Sequence, residues 1–320
     1  MWVGSKFLIL RQMETLLTTH KLSREFGQKR ALQRLNLQLQ RGEVVGLLGP
    51  NGAGKSTAMR LISGALAPSH GRVTVAGFDM QQQPIEAKRR LGYLPERPPL
   101  HPEQRVDEYL YDCARLRGLT PQAAREALGN SKRRCGLESV GRRLIRNLSK
   151  GYQQRAGIAQ AIIHAPDLII FDEPTEGLDP AQIREVRELI RELAEQSAVL
   201  LSSHILSEVE ACADRVTILQ QGRAIYQGAI EPAQTPLLRL QLQQNPGNEA
   251  LTQLPQIASV ERLHTDYFRV QLSPKATAPE LAAQIVQQGW GLRQLSEERL
   301  SLEQIYLEAT SGRTSQGASE

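Results

Sequence analysis

The chain has 320 residues, of which 40% are hydrophobic and 23% charged, and its net charge is +5. These values are ordinary for folded proteins and exclude a fibrous repeat or a largely disordered chain. No stretch approaches the roughly 18 consecutive apolar residues of a membrane-spanning helix. Basic residues are scattered apart from short clusters such as Lys132-Arg133-Arg134, which are typical of solvated helix faces, so we expect no nucleic-acid partner. An anionic membrane surface is equally compatible with this charge.

This length has room for two domains. We predict an N-terminal extension over residues 1–15, a larger domain over 16–232, a small domain over 237–310 and a disordered tail over 311–320. The apolar patch at the start is too short for a signal peptide, and Met13 is an alternative start to Met1. Three cysteines with neither disulfide-framework nor zinc spacing fit a reducing cytosol.

The larger domain begins with a pattern typical of phosphate-binding proteins. Val44 to Leu48 is predicted to be a buried strand, and Lys55 to Ser63 the helix that follows it. The loop between them has the sequence Gly-x-x-x-x-Gly-Lys-Ser, which in this strand and helix context predicts phosphate binding rather than an ordinary turn. We call it the phosphate loop; its residues are Gly49, Pro50, Asn51, Gly52, Ala53, Gly54, Lys55, Ser56 and Thr57.

Each part of the phosphate loop has a predicted role. The glycines let backbone N–H groups point at phosphate oxygens, and the following helix adds its positive dipole end. Lys55 is expected to reach the β and γ phosphates. Ser56 offers its hydroxyl to Mg²⁺, and Thr57 can bond a phosphate oxygen.

A helical subdomain is predicted over about residues 97–165. Within it, Val106, Leu110, Cys113 and Leu116 repeat at helical spacing. We therefore expect a helix in which these four side chains share one apolar face.

Two further strands are predicted at Leu168 to Phe171 and Val199 to Ser202, separated by a charged helix from Pro180 to Gln196. This is the order of a βαβ unit, in which helices cover a parallel sheet. The predicted class is therefore α/β.

Ionisable side chains follow these two strands. Asp172 and Glu173 come at the end of the first, where ligands of α/β sheets bind. Asp172 is predicted to help hold Mg²⁺, and Glu173 to polarise an attacking water. His204 follows the second strand and is a candidate γ-phosphate contact, although a lone histidine is more often a structural hydrogen-bonding group.

Five motifs, in this order, make the chain resemble an ATP-binding cassette (ABC) ATPase, the nucleotide-binding subunit of a transporter. The resemblance covers about Leu16 to Gly228. Its marks are the phosphate loop, the signature sequence Leu148-Ser-Lys-Gly-Tyr-Gln-Gln-Arg155, the strand Leu168 to Glu173, Gly177-Leu-Asp179, and His204. It implies a cassette fold, with a phosphate-loop core sheet and a helical subdomain that carries the signature.

This resemblance also implies that ATP and Mg²⁺ bind between two cassettes packed head to tail. Ser149, Lys150 and Gly151 of one cassette would face the ATP held by the phosphate loop of the other. Asp179 would mediate communication between the two sites. Whether the second cassette is an identical chain or a paralogue is left open.

Two positions are compared with the family pattern. Phe26 occupies the place of the aromatic residue that stacks on adenine, where tyrosine is commoner, and the alternative is a core phenylalanine. Glu96 stands where most members have glutamine, remains an oxygen ligand for the metal, and resembles a branch of type-2 exporters whose partner is a separate membrane permease.

The region after Gly228 has a different pattern. Pro232 and Pro236 bracket a predicted linker. The predicted strands and helix that follow would form a small α+β, ferredoxin-like domain. Its strands are Leu238 to Leu242, Ser259 to Leu263, Phe268 to Leu272 and Leu292 to Leu295, and its helix is Pro279 to Gln288.

The segment Ser301 to Thr310 resembles the terminal segment of such exporter ATPases and otherwise predicts a closing helix with Leu302, Ile305, Tyr306 and Ala309 facing inward. The resemblance favours an ATPase on the cytoplasmic face of the membrane, attached through its permease. An importer ATPase with a regulatory domain remains an alternative. A non-transport ABC ATPase is disfavoured, because each motif occurs once without a long insertion.

Overall fold

The structure is a computed structural model. It describes residues 14–230, 237–274, 276–298 and 302–310. By its internal contacts the chain divides into two compact units, the first extending to Gly228 and the second beginning at Ala229. The predicted linker at Pro232 and Pro236, Met1 and Met13, and the predicted tail 311–320 lie outside the described residues. In the part of the chain that is described, no helix is long and apolar enough to cross a membrane.

The first unit contains both strands and helices. The strands are β1 Thr15–Phe26, β2 Lys29–Gln40, β3 Val44–Leu48, β4 His70–Val75, β5 Phe78–Asp79, β6 Leu91–Leu94, β7 Leu168–Asp172, β8 Ala198–Ser203, β9 Arg215–Gln220 and β10 Arg223–Ala229. The α-helices are α1 Lys55–Ile62, α2 Pro84–Arg89, α3 Val106–Leu116, α4 Pro121–Arg134, α5 Lys150–Ile162, α6 Pro180–Ala194 and α7 Leu206–Cys212.

A six-stranded sheet with the order β10-β9-β3-β8-β7-β6 forms one layer of this unit. β3 pairs in parallel with β8 and β9, and β7 pairs in parallel with β6 and β8. Every residue of β3, β7 and β8 is buried, as expected for parallel strands covered on both faces. The three predicted strands are confirmed, and their carboxyl ends meet at one edge of the sheet.

A second, antiparallel sheet with the order β2-β1-β4-β5 was not predicted. Its long strands contain register shifts that interrupt simple alternation of apolar and polar residues. The core that it shares with the six-stranded sheet includes Leu17, Leu39, Val75, Leu47 and Ile170. The phosphate loop therefore follows a strand of the six-stranded sheet, β3, whose Leu47 packs in the core shared with the antiparallel sheet.

The predicted helical region contains the α-helices α3, α4 and α5, and α3 and α4 pack on each other and on α5. Val106 and Leu110 are buried and Cys113 is half-buried, but Leu116 is 86% exposed. The prediction that Leu116 shares the buried face is wrong. α3 ends at Leu116, and the chain turns away at Gly118, where φ is +87°.

The second unit has its own sheet and core. Its elements are β11 Leu237–Leu242, α8 Asn248–Thr252, β12 Ile257–Arg262, β13 Tyr267–Leu272, α9 Ala278–Gln287, β14 Leu292–Glu298 and α10 Leu302–Thr310. The sheet order is β12-β13-β11-β14, with antiparallel pairs throughout. This βαββαβ arrangement is the predicted ferredoxin-like fold. Leu240, Phe268, Val270 and Leu281 lie in its core.

The closing helix α10 is also confirmed. Leu302 and Ile305 are buried, while Tyr306 and Ala309 are half-buried. The spacing of these side chains places them along one side of the helix, as predicted.

Candidate functional site

A cavity of about 610 Å³ opens at the carboxyl edge of β3, β7 and β8, within the usual size range of small-ligand sites. The predicted residues that line it are Asn51, Gly52, Gly54, Lys55, Ser56, Thr57, Glu96, Glu173 and His204. Residues that were not predicted also line it: Lys29, Arg30, Ala31, Glu176, Gln221 and Gly222. Residues from six separate stretches of the sequence thus meet at one cavity.

The phosphate loop runs from the end of β3 into α1. Gly54 has a φ of +110°, and a Cβ atom there would lie 2.6 Å from the carbonyl oxygen of Ala31, so only glycine fits. Gly49, Pro50 and Ala53 form the rest of the turn, in which the Ala53 N–H donates to the Pro50 carbonyl at 3.0 Å. The loop is therefore held by a hydrogen bond within its own backbone and by close packing against Ala31.

Lys55 is 6% exposed and lies against the inner side of the loop. Its Nζ donates to the Gly49 carbonyl at 2.8 Å and is 3.6 Å from Glu173 Oε1. A buried ammonium needs acceptors of this kind. Since Lys55 also lines the cavity, its charge is available to an anionic ligand there.

Asp172, the last residue of β7, is 2% exposed and lies behind the cavity rather than on its surface. The hydroxyls of Ser202 and Ser56 donate to Asp172 Oδ1 at 2.6 and 3.4 Å. Burial raises the pKa of the Asp172 carboxyl, and the two hydroxyl donors oppose that rise. Asp172 and Ser56 thus offer two neighbouring oxygens at the end of the loop.

Glu173 faces the opposite way from its neighbour. Its φ of +51° is left-handed, a conformation that costs a non-glycine residue about 1 to 3 kcal/mol. Its N–H donates to Ser202 Oγ at 3.0 Å, and its Oε2 lies 3.0 Å from His204 Nδ1. This geometry turns the carboxylate into the cavity and joins it to the histidine.

Phe26 ends β1 and does not line the cavity among the described residues. It is 46% exposed, which excludes the alternative of a core phenylalanine. Its ring lies under the Arg24 guanidinium, 4.6 Å from the ring centroid. Its partner in the β1–β2 pairing, Lys29, does line the cavity.

The signature residues begin α5. Ser149 is its N-cap and accepts a hydrogen bond from the Tyr152 N–H at 3.4 Å. Neither Ser149, Lys150 nor Gly151 lines the cavity of the same chain in the described part of the structure. Asp179 is the N-cap of α6, and its Oδ1 accepts from the N–H groups of residues 181 and 182.

Sequence reasoning missed the side chains behind the site. Ser202 accepts from Glu173 and donates to Asp172, and Ser203 donates to Glu208. One indication of the role of these serines was present in the sequence: they are two adjacent hydroxyl residues at the end of an apolar strand, just before His204. Glu208, on the next helix, had no signal of its own because buried and exposed glutamates look alike in a sequence.

A buried strand, a glycine-rich loop, a helix, and carboxylates at the end of a neighbouring parallel strand define a phosphate-loop nucleotide-binding protein. The comparisons narrow this class. The ABC transporter family model matches residues 32–176. The chain belongs to the ABC transporter ATP-binding family, and the predicted family is confirmed.

Individual relatives of the chain are also ATP-binding proteins of ABC transporters. The ABC transporter ATP-binding protein NatA of Bacillus subtilis (strain 168) is 40% identical over 222 residues, covering 68% of this chain and 90% of NatA. The bacitracin transport ATP-binding protein BcrA of Bacillus licheniformis is 35% identical over 215 residues, covering 67% of this chain and 69% of BcrA. A solved ATP-binding subunit of an ABC transporter has a TM-score of 0.63 and 34% identity, covering 68% of this chain and 90% of its own.

Proposed function

We propose that this chain binds and hydrolyses ATP and thereby drives export through a separate membrane permease. The observation that carries the proposal is the convergence of Lys55, Ser56, Glu173 and His204 on one cavity. This convergence brings together a phosphate-binding loop, a candidate general base in Glu173, and a candidate γ-phosphate contact in His204. These are the parts that phosphoryl transfer to water requires.

The phosphate loop would hold the triphosphate. Its backbone N–H groups and the start of α1 favour phosphate oxygens. Lys55 would exchange its bond to the Gly49 carbonyl for the β and γ phosphates, and Thr57 would bond a further phosphate oxygen. Phe26 would stack on adenine from the neighbouring hairpin, a proposal that its exposed ring supports.

The site has the chemistry for Mg²⁺. This ion binds oxygen ligands and is usually held by one or two carboxylates together with substrate phosphates rather than by a complete protein cage. Among the described residues no cluster of three or more His, Cys, Asp or Glu side chains could hold a metal, whereas Ser56 and Asp172 lie 3.4 Å apart. Ser56, Asp172 and Glu96 would hold the ion, which would neutralise charge on the phosphates when bound.

Glu173 would act as the general base. It would take a proton from the water that attacks the γ-phosphorus, as the bond from that phosphorus to the β–γ bridging oxygen breaks. His204 would orient Glu173 and contact the γ-phosphate. A positioned base contributes about 10²- to 10⁴-fold to the rate, so binding can persist when hydrolysis is lost.

A second cassette would complete the site. The signature residues Ser149, Lys150 and Gly151 do not line their own chain's cavity in the described structure, which supports their action on the ATP of a partner cassette. Ser149 begins a helix, where N–H groups favour anions. Asp179, at the start of α6, would carry communication between the two sites.

Three observations support the exporter branch. BcrA is named for bacitracin transport, Glu96 lines the cavity, and α10 has the expected amphipathic face. The chain would then work on the cytoplasmic face of the membrane, held there by the permease. The helical subdomain would receive the permease contact.

The first test is ATP hydrolysis by the purified chain and its Lys55→Ala variant. We expect Mg²⁺-dependent phosphate release from the wild type and loss of nucleotide affinity in the variant, because the ammonium that contacts the phosphates is gone. Lys88→Ala, an exposed lysine on α2, is the control and should retain activity. Unchanged hydrolysis in Lys55→Ala would refute the assignment.

A further inference from the structure

One buried carboxylate joins the two loops that carry Glu173 and His204. Glu208, on α7, is 6% exposed. Its Oε2 accepts a hydrogen bond from Thr175 Oγ1 at 2.6 Å and another from Ser203 Oγ at 3.0 Å. Thr175 lies two residues after Glu173, and Ser203 immediately precedes His204. The same oxygen therefore holds both loops.

Further bonds spread this restraint along each loop. Ser203 Oγ also accepts from the Ile205 N–H at 3.0 Å, so the residues on both sides of His204 are tied together. In the other loop, the Thr175 carbonyl accepts from the Leu178 N–H at 3.2 Å. The position of Glu208 is thus transmitted to the backbone around His204 and to the segment that leads from Glu173 to Asp179.

A carboxylate is unusual at a position as buried as that of Glu208. Burying a charged group is costly unless it is paired or hydrogen-bonded. No ion pair involves Glu208 in the described residues, and it does not line the cavity. Hydroxyl groups from the two loops instead compensate its burial. An apolar side chain could fill this space but could not accept both hydrogen bonds.

We propose that Glu208 is a positioning residue that sets Glu173 in register with His204 by accepting hydrogen bonds from both loops. The inference rests on the proposed ATPase function and adds a residue outside the phosphate-binding motifs. Since Glu173 and His204 are 3.0 Å apart, a small displacement of either loop breaks their contact. Misplacement of about 1 Å can cost on the order of 100-fold in rate.

The test compares Glu208→Ala with Glu208→Gln in steady-state ATP hydrolysis. Glu208→Ala should lower kcat by about 10- to 100-fold and change the KM for Mg·ATP by less than about threefold, because the phosphate loop is untouched. Glu208→Gln should stay within about threefold of wild type, since its amide oxygen can accept both bonds. Glu210→Ala, an exposed glutamate on the same helix, is the control.

A second pair of variants covers the possibility that Glu208→Ala does not fold. Thr175→Val removes the hydroxyl and nearly conserves shape, whereas Thr175→Ser keeps the hydroxyl. We expect Thr175→Val to lower kcat and Thr175→Ser to retain it, with similar Tm values for both. Equal activity of the two Thr175 variants would overturn the proposal.

Double variants separate positioning from general stability. If Glu208 acts through His204, Glu208→Ala should cause little further loss of kcat when His204→Ala is already present. Multiplicative losses, or a Glu208→Gln variant as impaired as Glu208→Ala, would overturn the proposal. A wild-type chain without ATPase activity would instead refute the proposed function, whereas full activity in Glu208→Ala would refute only the positioning role.

Discussion

At the scale of single residues, two adjacent carboxylates are separated by backbone geometry. Asp172 ends a buried strand and accepts hydrogen bonds from serines, while Glu173 adopts a positive φ and turns into the cavity. Ser202 bonds both of them. One local kink therefore lets neighbouring acids serve different purposes, with Asp172 proposed beside the metal and Glu173 beside the attacking water.

Glu96 provides a prediction at this scale. Replacing it with glutamine keeps an oxygen ligand but removes a charge, so we expect the Mg²⁺ concentration for half-maximal hydrolysis to rise about two- to tenfold, or roughly 0.4 to 1.4 kcal/mol. The measurement is ATPase activity against Mg²⁺ concentration at fixed ATP. Glu86→Gln, exposed on α2, is the control. An identical Mg²⁺ dependence in Glu96→Gln would remove Glu96 from the metal site.

At the scale of elements, the C-terminal end of α5 packs closely against the backbone of β6. A Cβ atom on Gly92 would lie 2.1 Å from the Ala161 carbonyl oxygen. On either side of that close approach, Gln160 Nε2 donates to the Tyr93 carbonyl at 2.8 Å, and His164 Nε2 lies 3.1 Å from the Leu91 carbonyl oxygen. The helix that begins with the signature is therefore attached to the core sheet at its far end.

Gly92→Ala tests this attachment. The added methyl must push the helix away, and overpacking of this kind costs about 1 to 3 kcal/mol. Urea unfolding should show that loss in the free energy of unfolding. Gly129→Ala, in α4 with nothing within 4 Å of the added atom, should instead stabilise the chain by about 0.5 to 1 kcal/mol. Equal free energies of unfolding for Gly92→Ala and Gly129→Ala would contradict the close contact between Gly92 and the Ala161 carbonyl.

His164 makes the same junction sensitive to pH. Burial, reinforced by the nearby Arg117 charge, lowers the pKa of His164 from 6.5 to about 4, and its buried Nδ1 has no hydrogen-bond partner among the residues that the structure describes. The unfolded chain therefore binds more protons between those pH values. Stability from neutral His164 is complete above about pH 6.5 and is lost as the pH falls towards 4.

We therefore expect His164→Asn to reduce the acid sensitivity of folding. Between pH 6.5 and 5, the wild type should lose about 1.6 kcal/mol of unfolding free energy through this residue, and the variant should lose that much less. Urea titrations at both pH values measure the difference. The same pH dependence in both proteins would show that His164 does not titrate in this interval.

At the scale of the whole molecule, each motif of the proposed composite site occurs once in the chain. The phosphate loop and the catalytic side chains share one cavity, but the signature residues do not line it in the described structure. In the proposed arrangement, the signature residues that complete each site come from a second cassette.

Glu173→Gln tests dimerisation. Without its base, the variant should bind Mg·ATP, hydrolyse it about 10²- to 10⁴-fold more slowly, and accumulate as a dimer by light scattering with size exclusion. Adding Lys55→Ala to this variant should restore the monomer, because nucleotide no longer binds. A Glu173→Gln chain that stays monomeric at saturating Mg·ATP would contradict the composite site.

Much of the site could be predicted from local sequence because its motifs act through local backbone geometry. A strand followed by Gly49 to Thr57 forms its turn and helix start from neighbouring residues, and buried parallel strands need continuous apolar runs such as Leu168 to Phe171. The small domain was predictable for a similar reason, since buried residues alternate with more exposed ones along β11 and β13. The sequence by itself thus determined the family, the core strands and the location of the phosphate loop.

Tertiary structure decided what depends on contacts between distant segments. The antiparallel sheet escaped prediction because β1 and β2 shift register, and Leu116 was wrongly placed because its exposure depends on where the chain turns. Thr175 and Glu208 are 33 residues apart, and only the order of β7 and β8 in the sheet brings them together. Sequence identifies groups that can do chemistry, but packing decides which buried groups hold them in place.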